Sequence, residues 1–185
     1  MTAPDPVRHE LEPHPQSKRG AIRDLIVTVG RTTDARLSLR YQLRGDLSAL
    51  RLPDPRAGQR TDELWRHTCF EAFIGRTGGG EYREYNFSPS GDWAAYHFSA
   101  YREGMAPLMS GLPPLLRRLD EDGVLELEVI IDLSGMRHHP STPGLRLGLA
   151  AVIEDKAGRL AYWALAHPDG KPDFHHAVGF VIDLE

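Results

Sequence analysis

Acidic and amide side chains recur between residues 68 and 98 at a spacing that could assemble a binding site. The segment TCFEAFI has the apolar pattern of a strand, and strand alternation puts Glu71 on the face opposite Phe70. If the glycine-rich segment RTGGGE closes a symmetric hairpin, Glu71 lies opposite Asn86 and Phe73 lies opposite Glu84. The hairpin therefore predicts one face that carries two carboxyl groups and an amide.

A third strand, 93–99, follows the turn segment SPSGD. If its alternation continues that of the hairpin, one apolar face collects Phe70, Ala72, Tyr85, Phe87, Ala94, Tyr96 and Phe98. The opposite, mixed face then carries Glu71, Glu84, Asn86, Trp93 and His97. Such a face suits a sugar, whose hydroxyl groups bind carboxylates and amides and whose C–H face stacks on an indole. The same pattern is also typical of a solvated sheet face, so both interpretations stay open.

The carboxyl pair also allows an enzymatic alternative. Glu71 and Glu84 could act as the acid and base of a glycoside hydrolase, which needs two carboxyl groups at a defined separation. We expect Glu84 to be exposed, with no evident cause for a raised pKa, and this disfavours hydrolysis. A nucleophilic role for Cys69 beside His67 lacks a base and oxyanion donors, and a buried structural thiol is favoured.

Nine histidines suggest a metal or haem alternative. The pairs His138-His139 and His175-His176 cannot chelate as pairs, because adjacent strand residues point to opposite faces. A haem would need an axial ligand in a deep apolar pocket, for which the candidates are Met105, Met109, His175 and His176. We predict no cofactor and no metal ligand, and keep haem or metal binding as the first alternative.

Alternating segments with turn signals between them must position these residues. Nine segments have strand patterns: 22–29, 35–44, 67–75, 82–88, 93–99, 124–133, 145–153, 159–166 and 178–184. Proline-rich loops are predicted at 46–62 and 101–119, with one helical turn at 114–119. The pattern predicts an all-β, antiparallel, immunoglobulin-like β-sandwich of eight to ten strands. Residues 1–20 form an arm or irregular first strand, and 21–185 form one domain.

Composition excludes several classes of protein. The 185 residues are 41% hydrophobic, which is sufficient for a packed core, and one Cys excludes an internal disulfide. The formal net charge is −4 and no basic run is long enough for a nucleic-acid groove, so we expect no nucleic-acid partner. No segment reaches the ~20 apolar residues of a membrane helix, and no signal peptide is evident. We therefore expect a cytoplasmic protein that does not act at a membrane.

Three segments carry a resemblance to a known family. DELWRHTCFEAFI, EYREYNFSPSGDW and YWALAHPDGKPDFHHAVGFVIDL resemble the DOMON-like proteins related to family 9 carbohydrate-binding modules. In that family a Trp precedes a strand with a central Glu, here Trp65 and Glu71. A tyrosine-rich strand ending in Ser-Pro and Gly follows, here Tyr82 to Gly91, and the C-terminal motif matches from Trp163 to Phe180. The resemblance covers about two thirds of the chain.

The resemblance implies an immunoglobulin-like sandwich and non-catalytic binding of a small molecule, with a saccharide or polyol favoured. In the sugar-binding modules two tryptophans enclose a terminal sugar, which implies Trp65 as one plate and Trp163 as the second. Other members of the wider group bind haem. Along a strand, Trp65 and Glu71 would lie about 20 Å apart, so they can share a sugar only if the chain bends after Trp65. The sequence leaves the sugar and the oligomeric state open.

Overall fold

Two antiparallel sheets form a β-sandwich in the computed structural model, which describes residues 4–31, 35–108, 113–136 and 144–184. Short 3-10 turns are the only helical segments in these ranges, and none of them could span a membrane. The predicted all-β sandwich is confirmed. The strands in chain order are β1 Val7–Glu10, β2 Glu12–Pro13, β3 Ile22–Arg31, β4 Arg36–Gly45, β5 Cys69–Arg76, β6 Tyr82–Phe87, β7 Trp93–Phe98, β8 Ala106–Pro107, β9 Leu115–Glu121, β10 Val124–Asp132, β11 Leu145–Glu154, β12 Leu160–Ala164 and β13 Ile182–Leu184.

The smaller sheet has the strand order β1-β3-β4-β10-β9. The larger, eight-stranded sheet has the order β2-β12-β11-β5-β6-β7-β8, and β13 also pairs with β11. All nine predicted strand segments contain a strand, and the others are short or lie at sheet edges. The helical turn predicted at 114–119 is wrong, because β9 pairs with β10 along seven residues.

The core lies between the sheets. On β4 and β10 every second residue is buried, so Leu39, Tyr41 and Val129 face the larger sheet while Arg40 and Glu128 face outward. We call the face of the eight-stranded sheet that meets this core its inner face; it includes Phe70, Ala72, Tyr85 and Phe87. The hydroxyl of Tyr41 donates to the carbonyl oxygen of Glu71 at 2.9 Å, which ties the two sheets together.

The other face of the eight-stranded sheet, its outer face, is covered rather than solvated. Phe73, Tyr82, Tyr96, Phe98 and Phe180 form a second buried cluster there. β5 is buried along seven of its eight residues, since its alternate side chains enter one cluster or the other. A strand that is buried on both faces lacks the apolar-polar alternation of a strand that has one face in solvent.

Candidate functional site

Two irregular segments cover the outer face and leave a cavity between them. Residues 46–68 pass from β4 to β5, and residues 165–181 pass from β12 to β13. The first segment is fixed where Gly58 meets the β6–β7 turn: a Cβ on Gly58 would lie 2.1 Å from the carbonyl oxygen of Gly91. Only glycine fits such a close backbone approach.

A sharp bend carries Trp65 over the sheet. Glu63 has φ 61, in the left-handed region, and the 3-10 turn Leu64–Arg66 follows it directly. The indole of Trp65 then meets the ring of Tyr96 edge-on, with ring centroids 5.7 Å apart. Because of this bend, Trp65 and Glu71 do not lie about 20 Å apart, as they would along an extended strand, and both line one cavity.

The C-terminal segment supplies the opposite wall. His176 caps the 3-10 turn Ala177–Gly179 by accepting a hydrogen bond from the backbone N–H of Val178 at 3.3 Å. Phe180 then packs on Phe73, with ring centroids 6.2 Å apart. These contacts fix the preceding residues, Phe174 and His175, above the sheet.

The cavity between these walls, which we call the outer pocket, has a volume of about 380 Å³. That volume lies within the usual range for a small-molecule site. Aromatic and apolar side chains form most of its surface, and two carboxyl groups, one guanidinium and one imidazole supply its polar groups. Its lining residues are Trp65, Glu71, Glu84, Phe98, Arg102, Met105, Val152, Tyr162, Pro172, Phe174 and His175.

Glu71 is the most unusual of the lining residues. It is 3% exposed, and its Oε1 atom has no hydrogen-bond partner among the residues that the structure describes. Burial and the nearby charge of Glu84 raise the pKa of Glu71 well above its ordinary value. A buried polar atom without a partner is costly, and its position on a cavity wall makes Glu71 a candidate for contact with a ligand.

Glu84 is buried beside Glu71, at 4% exposure, and the expectation of an exposed Glu84 is wrong. Its Oε1 accepts a hydrogen bond from the Asn86 amide at 2.6 Å, and its Oε2 lies 3.7 Å from Nε2 of His175. Burial raises the pKa of Glu84 to about 6, although the Asn86 hydrogen bond and the charge of Arg102 oppose that shift. The covering segments, which sequence periodicity does not reveal, cause this burial.

His175 lies between Glu84 and Tyr82. Its Nδ1 is 2.7 Å from the hydroxyl of Tyr82, and burial together with the charge of Arg102 lowers the pKa of His175 to about 4. Arg102 donates to Asp173 at 2.6 Å and 3.2 Å, and Asp173 also accepts from the Tyr101 hydroxyl. The imidazole is therefore neutral near pH 7, and the Arg102 charge is balanced by Asp173.

The structure brings together four of the seven predicted site residues. Trp65, Glu71 and Glu84 line the outer pocket, and Asn86 is fully buried beneath it, where it positions Glu84. The predicted hairpin register is confirmed, because Glu71 pairs with Asn86 and Phe73 pairs with Glu84. Ligand binding by these residues stays a prediction.

The predicted face of β7 is wrong. Phe87 pairs with Trp93 across a five-residue turn, so Trp93 and Ala95 share the inner face with Phe87. His97 points the same way at the strand end, where its Nε2 lies 3.7 Å from Glu81. Trp93 and His97 therefore do not contribute to the outer pocket. Ala94, Tyr96 and Phe98 are buried as expected, but in the outer cluster.

The predicted Trp163 plate is also wrong. Trp163 is fully buried in the core between the sheets, because it pairs with Ala151 on the inner face. Its neighbour Tyr162 pairs with Val152 and faces the outer pocket instead. An indole in the core cannot close over a ligand on the other side of the sheet. The aromatic side chains that line the outer pocket with Trp65 include Tyr162 and Phe174, and Trp163 is not among them.

The haem and metal candidates are only partly described. Met109, His138 and His139 lie outside the described residues. Met105 and His175 line the outer pocket, while His176 uses its Nδ1 to cap the 3-10 turn. Within the described ranges, no group of three His, Cys, Asp or Glu side chains is placed to hold a metal ion. Cys69 is buried, and burial raises the pKa of its thiol well above the ordinary value.

Sequence reasoning missed eight of the eleven residues that line the pocket. The lining residues not predicted for a saccharide site are Phe98, Arg102, Met105, Val152, Tyr162, Pro172, Phe174 and His175. Most of them lie on loops or on strands whose pairing partners are distant in sequence. The C-terminal segment PDFHH was the one available signal, since it concentrates aromatic and titratable residues between two predicted strands.

The comparisons with known proteins concern the fold. A solved structure of a candidate carbohydrate-binding protein from Bacteroides uniformis is similar to this chain, with a TM-score of 0.56 and 16% sequence identity. The match covers 94% of this chain and 84% of that one. No protein-family model matches, and no match is found among curated proteins. The likeness shows that this chain shares the β-sandwich fold of that protein.

Proposed function

We propose that the protein binds a saccharide or a similar polyol in the outer pocket. The observation that carries the proposal is the Oε1 atom of Glu71, buried and without a partner among the described residues, on the wall of an aromatic cavity. A ligand hydroxyl would satisfy this atom. Glu84 lies on the neighbouring strand and offers a second carboxyl group to the same ligand.

The pocket walls suit a sugar ring. A pyranose has apolar C–H faces and polar edges, so it needs a flat apolar surface and directed hydrogen-bond partners in one site. Trp65, Tyr162 and Phe174 supply aromatic surface, while Glu71 and Glu84 supply acceptors. Arg102, although bound to Asp173, lies at the rim and has donors for ring oxygens.

Two comparisons support this proposal. The similar structure from Bacteroides uniformis belongs to a candidate carbohydrate-binding protein. The sequence also resembles DOMON-like proteins related to family 9 carbohydrate-binding modules, and of the positions carried over from them, Trp65 and Glu71 both line the pocket. We propose that the chain is a divergent relative of this group whose binding surface was rebuilt around Tyr162 and Phe174.

Isothermal titration calorimetry against a panel of mono- and disaccharides tests the proposal. We expect at least one saccharide to bind the wild-type protein, and Trp65→Ala and Glu71→Gln to weaken its binding. Glu126→Gln is the matched control, because Glu126 lies on the outward face of the five-stranded sheet. Absence of binding across the panel, or equal binding by all variants, would exclude a saccharide site at this pocket.

A second candidate function is glycoside hydrolysis by Glu71 and Glu84. The burial that raises the pKa of Glu84 to about 6 favours it, because a general acid needs such a pKa near neutral pH. The two residues occupy diagonal positions on paired strands, which separates their Cα atoms by roughly 7–8 Å and their Cβ atoms by somewhat less. Release of nitrophenol from aryl glycosides, abolished by Glu84→Gln, would establish hydrolysis; bound saccharide recovered intact would exclude it.

A further inference from the structure

The charges of the outer pocket do not balance. Two carboxyl groups, those of Glu71 and Glu84, reach its surface, and Arg102 is the one Lys or Arg among its lining residues. Arg102 is hydrogen-bonded to Asp173 at 2.6 Å, and its charge acts on Glu84 only from a distance. Among the described lining residues, the pocket therefore has two carboxyl groups and one guanidinium group, which already has a carboxylate partner outside the pair.

The neutral partners of these two carboxyl groups do not satisfy all of their oxygen atoms. Asn86 donates to one oxygen of Glu84, and His175 lies 3.7 Å from the other. Glu71 has Oε1 without a partner among the described residues. Buried carboxylates are tolerated when a cation pairs with them, and otherwise they stay protonated. A cationic ligand would supply the missing charge and bind both groups at once.

The aromatic walls favour the same ligand charge. An ammonium group is attracted to the faces of Trp, Tyr and Phe, and this attraction grows when the group is removed from water. Trp65, Phe98, Tyr162 and Phe174 surround the two carboxyl groups. A neutral sugar gains from ring stacking and from hydrogen bonds of its hydroxyl groups. A sugar with an ammonium substituent gains cation–π attraction and charge pairing in addition.

We propose, on the basis of the saccharide-binding function above, that the ligand is an amino sugar whose ammonium group lies between Glu71 and Glu84. The ammonium donates to the carboxyl groups of Glu71 and Glu84, and the C–H face of the ring lies against the aromatic wall. Burial raises the pKa of both carboxyl groups, so binding the cation releases protons from the pair. The N-acetylated form of the same sugar has lost the charge that the pair recognises.

Matched sugars test this inference by calorimetry at pH 7. Each of three configurations (gluco, galacto and manno) is offered as the 2-amino, 2-acetamido and 2-hydroxy sugar. We expect one amino sugar to bind about ten-fold or more tightly than both of its neutral counterparts, since a charge-assisted hydrogen bond is roughly twice as strong as a neutral one. Glu71→Gln and Glu84→Gln should each bring this ratio towards one.

Glu126→Gln is the matched control, because Glu126 lies on the outward face of the five-stranded sheet and its substitution should leave the binding of all three forms unchanged. Equal binding of amino and hydroxy sugars by the wild-type protein would overturn the inference and leave the saccharide proposal intact. A preference that survives in both Glu71→Gln and Glu84→Gln would also overturn it, since the charge would then be recognised elsewhere. Binding of no sugar in any form would overturn the inference together with the proposed function.

Discussion

The outward faces of the two sheets carry similar residue types in opposite environments. On the five-stranded sheet, Arg40 lies 2.9 Å from Glu128 and 3.4 Å from Glu126, and Gln42 donates to Glu126 at 2.8 Å. On the eight-stranded sheet, Glu71 and Glu84 are buried under loops, and Glu71 lacks a partner for Oε1 among the described residues. One face is solvated and its charges are paired. The other is covered; Glu154 on that face is paired with Arg51, whereas Glu71 keeps an oxygen without a partner among the described residues.

This difference shows what distinguishes a functional sheet face from an ordinary one. Charged residues on a solvated face need no explanation, because water and cross-strand partners satisfy them. Covering a face with loops removes that water, so a carboxyl group underneath destabilises the fold unless a protein group or a ligand satisfies it. Mutations on the covered face should therefore change both stability and ligand binding, and mutations on the solvated face should change stability little and binding not at all.

The largest expected effect comes from the apolar part of the covered face. Phe73 is buried in the outer cluster against Phe180 and His175, with ring centroids 6.2 Å and 5.2 Å away. Phe73→Ala should lower the free energy of unfolding by about 3–5 kcal/mol through cavity formation, as should Phe70→Ala on the inner face. Urea denaturation measures both.

Ile130→Ala is the matched control for Phe73. Ile130 lies half-buried on the outward face of the five-stranded sheet, opposite Ser38. Its truncation should cost about 1 kcal/mol or less, because the remaining site is open to water. A loss at Phe73 no larger than the loss at Ile130 would mean that the outer face is not a packed core.

Next in size is the effect of the aromatic wall on ligand binding. Trp65→Ala should weaken saccharide binding by about 2 kcal/mol, from lost stacking and lost buried area. Trp93→Ala is the control, since Trp93 is also half-buried but packs on the inner face. Calorimetry should show weaker binding for Trp65→Ala alone; equal weakening by both variants would place the ligand away from the outer pocket.

Removing the charge of Glu71 should stabilise the protein. In the unfolded chain Glu71 titrates near its ordinary pKa of 4.5, and in the folded protein burial and Glu84 raise that pKa. The folded state therefore holds a proton that the unfolded state releases, and this lowers stability as pH rises above about 4.5. Glu71→Gln should raise the free energy of unfolding at pH 7 and leave it nearly unchanged at pH 4, and urea denaturation at the two pH values measures the difference.

Other titratable side chains near Glu71 are present in both the wild-type protein and the Glu71→Gln variant. Between pH 4 and pH 7 the pKa values of Cys69 and Tyr82, both raised by burial, keep these groups protonated in wild type and variant. Glu84 interacts with Glu71, so the difference between the two unfolding curves reports the carboxyl pair. His175 acts with opposite sign: its pKa is lowered to about 4, so its contribution to stability is lost as pH falls from about 6.5 towards 4. Parallel pH profiles of wild type and variant would contradict a raised pKa at Glu71.

Local pairing was predictable from the sequence, and tertiary covering was not. The hairpin of β5 and β6 follows from one turn and a period of two, and its predicted register is confirmed. The next turn, SPSGD, has five residues between Phe87 and Trp93, and whether such a turn preserves or reverses alternation depends on its geometry. That single ambiguity moved Trp93 and His97 to the wrong face.

The site itself depends on chain segments without periodicity. Phe174 and His175 reach the outer pocket because a 3-10 turn and Phe180 fix their segment against β5 and β6. No sequence period encodes such a position, since loop paths are set by contacts with distant residues. Trp163 and Tyr162 illustrate the same limit: one residue of register decides which ring faces the core and which faces the pocket.

The smallest expected effect lies on the solvated face, and it completes the comparison of the two faces. The side chain of Arg40 is 51% exposed and touches two carboxylates that water also reaches. Arg40→Ala should therefore lower the free energy of unfolding by no more than about 1 kcal/mol, and the difference should shrink in high salt, which screens exposed pairs. Urea denaturation at low and high salt measures this, with Glu126→Gln as a second variant on the same face. A salt-insensitive loss above about 2 kcal/mol would show that this face is also covered. The expected signs differ, because removing a charge costs stability where water is present and restores it where loops have removed the water.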